Sequence, residues 1–413
     1  MNKPQTFRNA GGRHGAGRAA GADGAIIAAR LADGSRLHFL DTIRAAAMLL
    51  GIPFHAALIY AAGPSWFVSS DVSHVAYSYF GGISSGVRMP LFFCVAGMLS
   101  AIVLEQRDPR AWLRKRFFRL GLPLLAATLL IGPAVMLAKA NIDPSPGAFD
   151  RWIALMSTPG KDWVGHLWFL QVLIGCSALA AVLALLKGRG DSQGEDASSK
   201  LGFLQSIRPT LGFFLLAGVA VSLWRLGVNG VFYFGETRLG LGGWLHETVR
   251  LEALLEYTPY FIIGLILAGR PIMKSGKTAA AWALLAVCGA VYASVWMTPE
   301  VPARVMKYIV LGPFSVLGSI LVLDVLRGVI SRRSAVTDYF VRASYNVYLF
   351  HYPIVVGLGV YFLRIDLPIH LEFVTIVMVT LLVTLAIDAI IRRTALLELL
   401  FNGVLQEKRF SIR

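Results

Sequence analysis

The chain has 413 residues, of which 56% are hydrophobic and only 15% charged, and its formal net charge is +15. A soluble domain carries about a quarter charged residues, so this balance excludes an ordinary soluble fold. With no basic soluble segment to hold the excess charge, it also excludes a nucleic-acid-binding role. Cys94, Cys176 and Cys288 stand alone inside apolar runs with no CxxC spacing; they read as small buried hydrophobes and indicate neither a disulfide framework nor a metal site.

Residues 1–35 are rich in Gly, Ala and Arg and hold no apolar core of signal-peptide length, which predicts a disordered cytoplasmic tail. Apolar runs then follow near 40–62, 84–104, 118–138, 166–186, 209–226, 253–269, 279–297, 308–326, 343–363 and 371–391. Each has about the length that a 1.5 Å rise needs to cross roughly 30 Å of hydrocarbon. The prediction is an all-α polytopic bundle of about ten transmembrane helices. With the N-terminus inside, the cytoplasmic segments carry 27 Lys/Arg and the opposite ones 8. That bias puts both termini in the cytoplasm and reads as a multi-pass protein of the bacterial inner membrane. The polar stretch 187–200 reads as a flexible linker between a four-helix and a six-helix part. Residues 36–395 form the expected transmembrane domain, and 396–413 a cytoplasmic C-terminal tail.

Ionisable groups inside a bilayer are costly and point to function. The first span, LDTIRAAAMLLGIPFHAALIY, holds Asp41, Arg44 and His55. At 100° per residue Arg44 lies about 60° from Asp41 and His55 about 20° from Arg44, so all three share one stripe. His55 sits roughly 16 Å beyond Arg44, toward the outer side, with Pro53 expected to kink the helix just before it. Asp41 and Arg44 read equally as an interfacial i,i+3 ion pair or as part of a site. An imidazole at this depth is the natural general base near neutral pH, set against a packing role.

Later candidates follow in chain order. Arg88, just inside the outer end of the second span, binds an anionic group or snorkels. Arg116 and Arg119, at the cytoplasmic end of the third, serve topology or clamp phosphate through the guanidinium fork. His166 lies at the outer surface among Trp163 and Trp168, an aromatic belt. Glu252 and Glu256 read as solvated at the outer end of the sixth span. Asp324 and Asp388 are expected to pair with Arg327 and Arg392. His351, in SYNVYLFHYPIVV, is near mid-membrane and is either a buried hydrogen-bonding residue or part of a site.

The motifs LDTIR, Arg44 followed by ten residues and His55, Arg116-x-x-Arg119 and SYNVYLFHYP resemble the acyltransferase-3 family of membrane acyltransferases over about residues 36–365. GIPFHAALIY, RMPLFFCVAGM and GHLWFL look most like members that succinylate osmoregulated periplasmic glucans. The resemblance implies a cytoplasmic acyl-CoA co-substrate (succinyl-CoA or acetyl-CoA), no permanently bound cofactor, and an acceptor sugar hydroxyl on the outer face. It makes His55 the catalytic histidine, with Asp41 orienting Arg44, and gives Arg116 and Arg119 the donor's phosphates. Arg88 would face the succinyl carboxylate or the oxyanion. The alternatives are O-acetylation of another envelope polysaccharide and, from a different class, a transporter of a sugar or anion. No internal repeat is visible, which weighs against transport.

Overall fold

A computed structural model of the chain describes residues 35–62, 66–158, 160–191, 209–240, 248–268, 270, 278–296, 301–330 and 333–404. The expected N-terminal tail lies outside these residues apart from Ser35, as does the expected linker from 192 onward. Among the described residues every regular element is a helix. In chain order they are α1 (Ser35–Leu49), α2 (Gly51–Ile59), α3 (Val75–Leu104), α4 (Pro109–Leu130), α5 (Gly132–Ala140), α6 (Ala148–Ser157), α7 (Lys161–Val164) and α8 (Trp168–Asp191). They continue with α9 (Leu211–Leu239), α10 (Leu251–Leu267), α11 (Thr278–Trp296), α12 (Val301–Val329), α13 (Ala335–Phe362), α14 (Ile369–Arg393) and α15 (Ala395–Asn402). A single 3₁₀ turn, Gly165–Leu167, leads into α8.

Eight stretches among the described residues are long and apolar enough to cross a membrane. Two further runs that the sequence reads as spans are α10, at 17 residues, and α13, whose 28 residues include Asp338, Arg342, Asn346 and His351. The exterior supports a lipid setting: Leu216, Leu223 and Leu382 are 73%, 65% and 61% exposed. Polar groups are turned inward instead, with Ser100, Ser315, Asn346, Thr380 and Asp388 all buried. This inversion of the soluble pattern is that of an all-α, multi-pass membrane bundle.

Three boundaries differ from the sequence reading, each for a physical reason. The rod of α1 and α2 breaks at Leu50 rather than at Pro53, because proline's missing N–H and its ring act on the carbonyl four residues earlier, that of Leu49. Helix α3 begins at Val75, where the His74 ring accepts the Ala76 N–H at 3.2 Å, well before the apolar run at 84. Ser78, Ser84 and Ser85 dilute hydropathy there without weakening the helix. Arg88 therefore lies 13 residues, about 20 Å, into α3, not just inside its end. Residues 396–402, read as the start of a tail, belong to α15, which docks on α4 and buries Phe401 against Phe350 at a centroid distance of 4.9 Å.

Helix α3 packs most extensively on α10, and α9 on α12. At the first crossing a Cβ on Gly97 would collide with the Phe261 carbonyl, and one on Gly264 with the Cys94 backbone. Small residues let the two backbones touch, which is how helices associate where lipid supplies no hydrophobic drive.

Candidate active site

Three histidines distant in the chain converge where α2, α13 and the turn before α8 meet. The ring centroid of His55 lies 5.3 Å from that of His351, and His351 lies 5.3 Å from His166. The orientations of His351 and His166 are fixed by backbone. The Nδ1–H of His351 donates to the Tyr348 carbonyl at 2.7 Å, one turn back on α13. The same bond leaves Nε2 as the lone-pair nitrogen, and that atom is buried without a hydrogen-bond partner. His166 Nε2 bonds the Leu349 carbonyl at 3.1 Å, and the Tyr348 hydroxyl donates to the His166 carbonyl at 2.6 Å, locking the turn to α13.

His55 has a different environment. It is half-buried, its Nδ1 is enclosed without a partner, and aromatic rings surround it. Trp66, from the segment after α2, stacks on it at 5.4 Å and 25°. Tyr352 meets it edge-on at 5.2 Å. The imidazole thus faces protein, not lipid, and nothing fixes its tautomer, as suits a group that gains and loses a proton.

The cation of the cluster is Arg88. Its guanidinium lies over the Phe54 ring at 4.4 Å and its Nε is buried and unpartnered, so the chain turns inward instead of snorkelling to an interface. Gly51 makes room for it: a Cβ there would sit 3.2 Å from both Arg88 Nη1 and His351 Nε2. The first residue of α2 therefore forms a floor on which arginine and histidine meet, within one helical turn of His55.

A cavity of about 450 Å³ opens toward the arginine-rich end of the bundle. Arg44, Arg116, Arg119, Arg342 and Arg392 line it. They are not equivalent. Arg44 is held by Asp41 at 3.0 Å, and Arg392 by Asp388 at 2.8 Å, while Asn346 donates to the second Asp388 oxygen at 2.6 Å. Arg116 and Arg119 have no acidic partner within 4.0 Å among the described residues, and Arg116 rests on the Trp112 ring at 5.5 Å with its Nε buried and unpartnered. Their charge is available to an anion, and the i,i+3 spacing points both into one volume. Among the described residues no ion pair within 4.0 Å joins Asp324 to Arg327, the pair expected from the sequence.

At its inner end the cavity reaches Met48, Phe92 and Phe169. His55 lies seven residues beyond Met48, about 10 Å along α1 and α2. Phe92 and Phe169, with centroids 4.4 Å apart, stand between, and Phe169 touches Tyr348 at 5.2 Å. The structure thus gathers Asp41, Arg44, Arg116 and Arg119 at one level and His55, Arg88, His166 and His351 at another. An aromatic pair separates them.

Some residues of the site carry no mark in the sequence. Tyr348 and Tyr352 differ from other aromatic residues only in spacing: with His351 they form a patch on α13 that the i,i+3 and i,i+4 pattern alone displays. Trp66 has no such signal. Buried Glu372 accepts the Tyr60 hydroxyl at 2.7 Å, and sits where hydropathy treats it as an ordinary interruption at the start of α14.

Residues 37–389 match the acyltransferase domain of the acyltransferase-3 family. Among curated relatives, glucans biosynthesis protein C of Salmonella paratyphi B, of Salmonella dublin and of Salmonella gallinarum are each 29% identical over 399 residues, covering 91% of this chain and 98% of the relative. No solved structure matches. The convergent histidines, the inward arginine and four of the five arginines of the basic cavity lie inside the matched span, and the chain belongs to the acyltransferase-3 family of membrane acyltransferases.

Proposed function

We propose that the protein transfers a succinyl group from cytoplasmic succinyl-CoA across the bacterial inner membrane to hydroxyls of periplasmic glucan. The observation that carries the reading is the pairing of two sites on shared helices: Arg116 and Arg119, without an acidic partner among the described residues, at the basic end, and His55 with Arg88 further along. The Lys/Arg bias assigns the basic end to the cytoplasm. The names of the relatives supply the glucan.

In this reading the phosphates of the coenzyme rest on Arg116 and Arg119, whose forks match phosphate oxygens. The pantetheine arm extends past Met48, displacing the Phe92 and Phe169 rings, and brings the thioester to His55. His55 takes the proton of a glucan hydroxyl as its oxygen attacks the thioester carbonyl. Arg88 offsets the negative charge that develops on the carbonyl oxygen. The C–S bond then breaks, and the coenzyme thiolate leaves with the proton held by His55. One ester forms, one thioester is consumed, and no metal or redox group takes part.

The test is reconstitution: purified protein in vesicles, succinyl-CoA on the side of the basic cavity, and glucan on the other. Mass spectrometry should show a gain of one succinyl ester per transfer. Transfer from acetyl-CoA but not from succinyl-CoA would overturn the donor. Modification of a different polysaccharide with glucan left unchanged would overturn the acceptor.

A further inference from the structure

At the end of the bundle opposite the arginine cavity lies a second cavity of about 220 Å³, formed between α3, α9, α10, α11 and α12. Part of its polar lining is one connected network, and Arg250, Glu252 and Lys307 line the cavity as well. The Arg225 guanidinium of α9 donates to Glu256 of α10 at 2.8 Å, and both side chains are nearly buried. The other Glu256 oxygen accepts from Asn229 at 2.7 Å, and the Asn229 carbonyl oxygen accepts from the Tyr308 hydroxyl of α12 at 2.9 Å. Glu256, expected to be solvated, is thus an enclosed partner of an arginine. Arg225 is only 8% exposed, and its Nε has no hydrogen-bond partner. Aromatic side chains, Tyr257, Tyr292 and Trp296, complete the walls.

We infer that this cavity is the acceptor-sugar subsite, binding one neutral hexose unit of a longer saccharide; the inference rests on the acyl-transfer reading above. Several features favour it over a purely structural ion pair. The Arg225–Glu256 pair borders open volume instead of packed core, and a charged pair among membrane helices points to function. The volume is below the roughly 300–1,000 Å³ of drug-sized pockets, the scale of one ring rather than an extended ligand. The network offers donors and acceptors side by side, with Arg225 and Glu256 balancing each other, which matches hydroxyl groups, each of which gives and takes a hydrogen bond. Arg225 is already neutralised by Glu256; Lys307, which also lines the cavity and lies over the Trp296 ring at 4.1 Å, makes a small anion the competing occupant that the experiment distinguishes. Aromatic walls suit the apolar faces of a sugar ring.

The location fits the same role. Ser85 and Pro90 of α3 line the cavity and bracket Arg88 in sequence, with Ser85 three residues, about 4.5 Å of rise, from it. Arg88 in turn covers Phe54, the neighbour of His55. A saccharide anchored by one unit here has its continuation available to the transfer centre.

The experiment measures equilibrium binding of a fluorescently labelled neutral gluco-oligosaccharide to the full-length purified protein in lipid nanodiscs, with no acyl donor present. Wild type and His55→Ala should bind alike. Glu256→Gln should weaken binding about tenfold, since it removes a charge-assisted bond while keeping shape, and the milder Tyr308→Phe about threefold. Succinyl-CoA binding should be unchanged in all three variants. The inference is overturned if wild type does not bind the saccharide, if both cavity variants bind like wild type, or if inorganic phosphate or succinate competes while a neutral saccharide does not. Tyr308→Phe keeps the test decisive where Glu256→Gln fails to fold. Because the assay contains no donor, its outcome is independent of whether His55 performs the transfer.

Discussion

The arginine cavity and the histidine cluster share α1 with α2, α3, α8 and α13 as walls, yet they are built on opposite principles. The cavity is open, about 450 Å³, and lined by five arginines and Glu398; three of the arginines, Arg116, Arg119 and Arg342, have no acidic partner within 4.0 Å among the described residues. The cluster is enclosed, aromatic and held by hydrogen bonds to backbone carbonyls. An open cationic cavity suits tight, geometry-tolerant capture of phosphates, where charge matters more than ångström placement. An enclosed cluster suits chemistry, where preorganised groups and excluded water raise the worth of each charge. On the proposed reading the same helices divide binding from reaction by depth, and changes at the two levels should give different kinetic signatures.

His55→Ala tests the division most severely. Removing a general base costs about 10²–10⁴ in rate, so succinyl transfer should fall by at least two orders of magnitude while succinyl-CoA still binds with wild-type affinity. Full activity in this variant would dismiss the cluster as the reaction centre. At the other level, Arg116→Ala should raise KM for the donor about tenfold with kcat little changed, since it removes a charge-assisted contact to a non-reacting part of the substrate. A fall in kcat with unaltered KM would instead mean that the cavity takes part in the chemical step, and the comparison would fail. Arg392→Ala separates binding from structure in the same cavity: its partner Asp388 is only 3% exposed, so that variant should lose thermal stability first.

Much of this architecture could be read before any coordinates. Long apolar runs report helices because lipid forces every backbone bond inside the helix. The stripe of Asp41, Arg44 and His55 is visible because helical rotation is regular. What stays hidden is whatever depends on partners far apart in the chain. Nothing local to Glu256 announces Arg225, 31 residues away, and hydropathy places both at the edge of spans where solvation is the ordinary outcome. The convergence of His166 and His351 on His55 is a product of tertiary packing, as is the docking of α15. Serines in the first turns of α3 also hide a helix that local propensity permits, and with it the true depth of Arg88.

Gly51 sharpens the comparison on a finer scale. A methyl group at 3.2 Å from Arg88 Nη1 and His351 Nε2 is tighter than ordinary contact, and both neighbours must yield by a few tenths of an ångström. Small misplacements of reacting groups are expensive, so Gly51→Ala should lower kcat by about tenfold with KM for succinyl-CoA unchanged. The cavity, whose nearest lining residue on this rod is Met48, should not register the change. Equal effects on kcat and donor KM would show that the two levels are mechanically coupled through α2.

The smallest expected effect lies beside the cluster, at the buried bond from Tyr60 to Glu372. Tyr60 caps α2, and Glu372 lies in the first turn of α14, so the bond ties the end of the histidine-bearing rod away from the arginine cavity to the rest of the bundle. Tyr60→Phe keeps the ring and removes the donor, leaving a nearly enclosed carboxyl group, 5% exposed, without that hydrogen bond. The cost should be about 1–3 kcal/mol, read as a lower unfolding temperature in detergent, while kcat at low temperature changes less than twofold. Should kcat instead fall as far as in Gly51→Ala with stability intact, the anchor would belong to the positioning of His55, and the reaction level would extend to the first turn of α14.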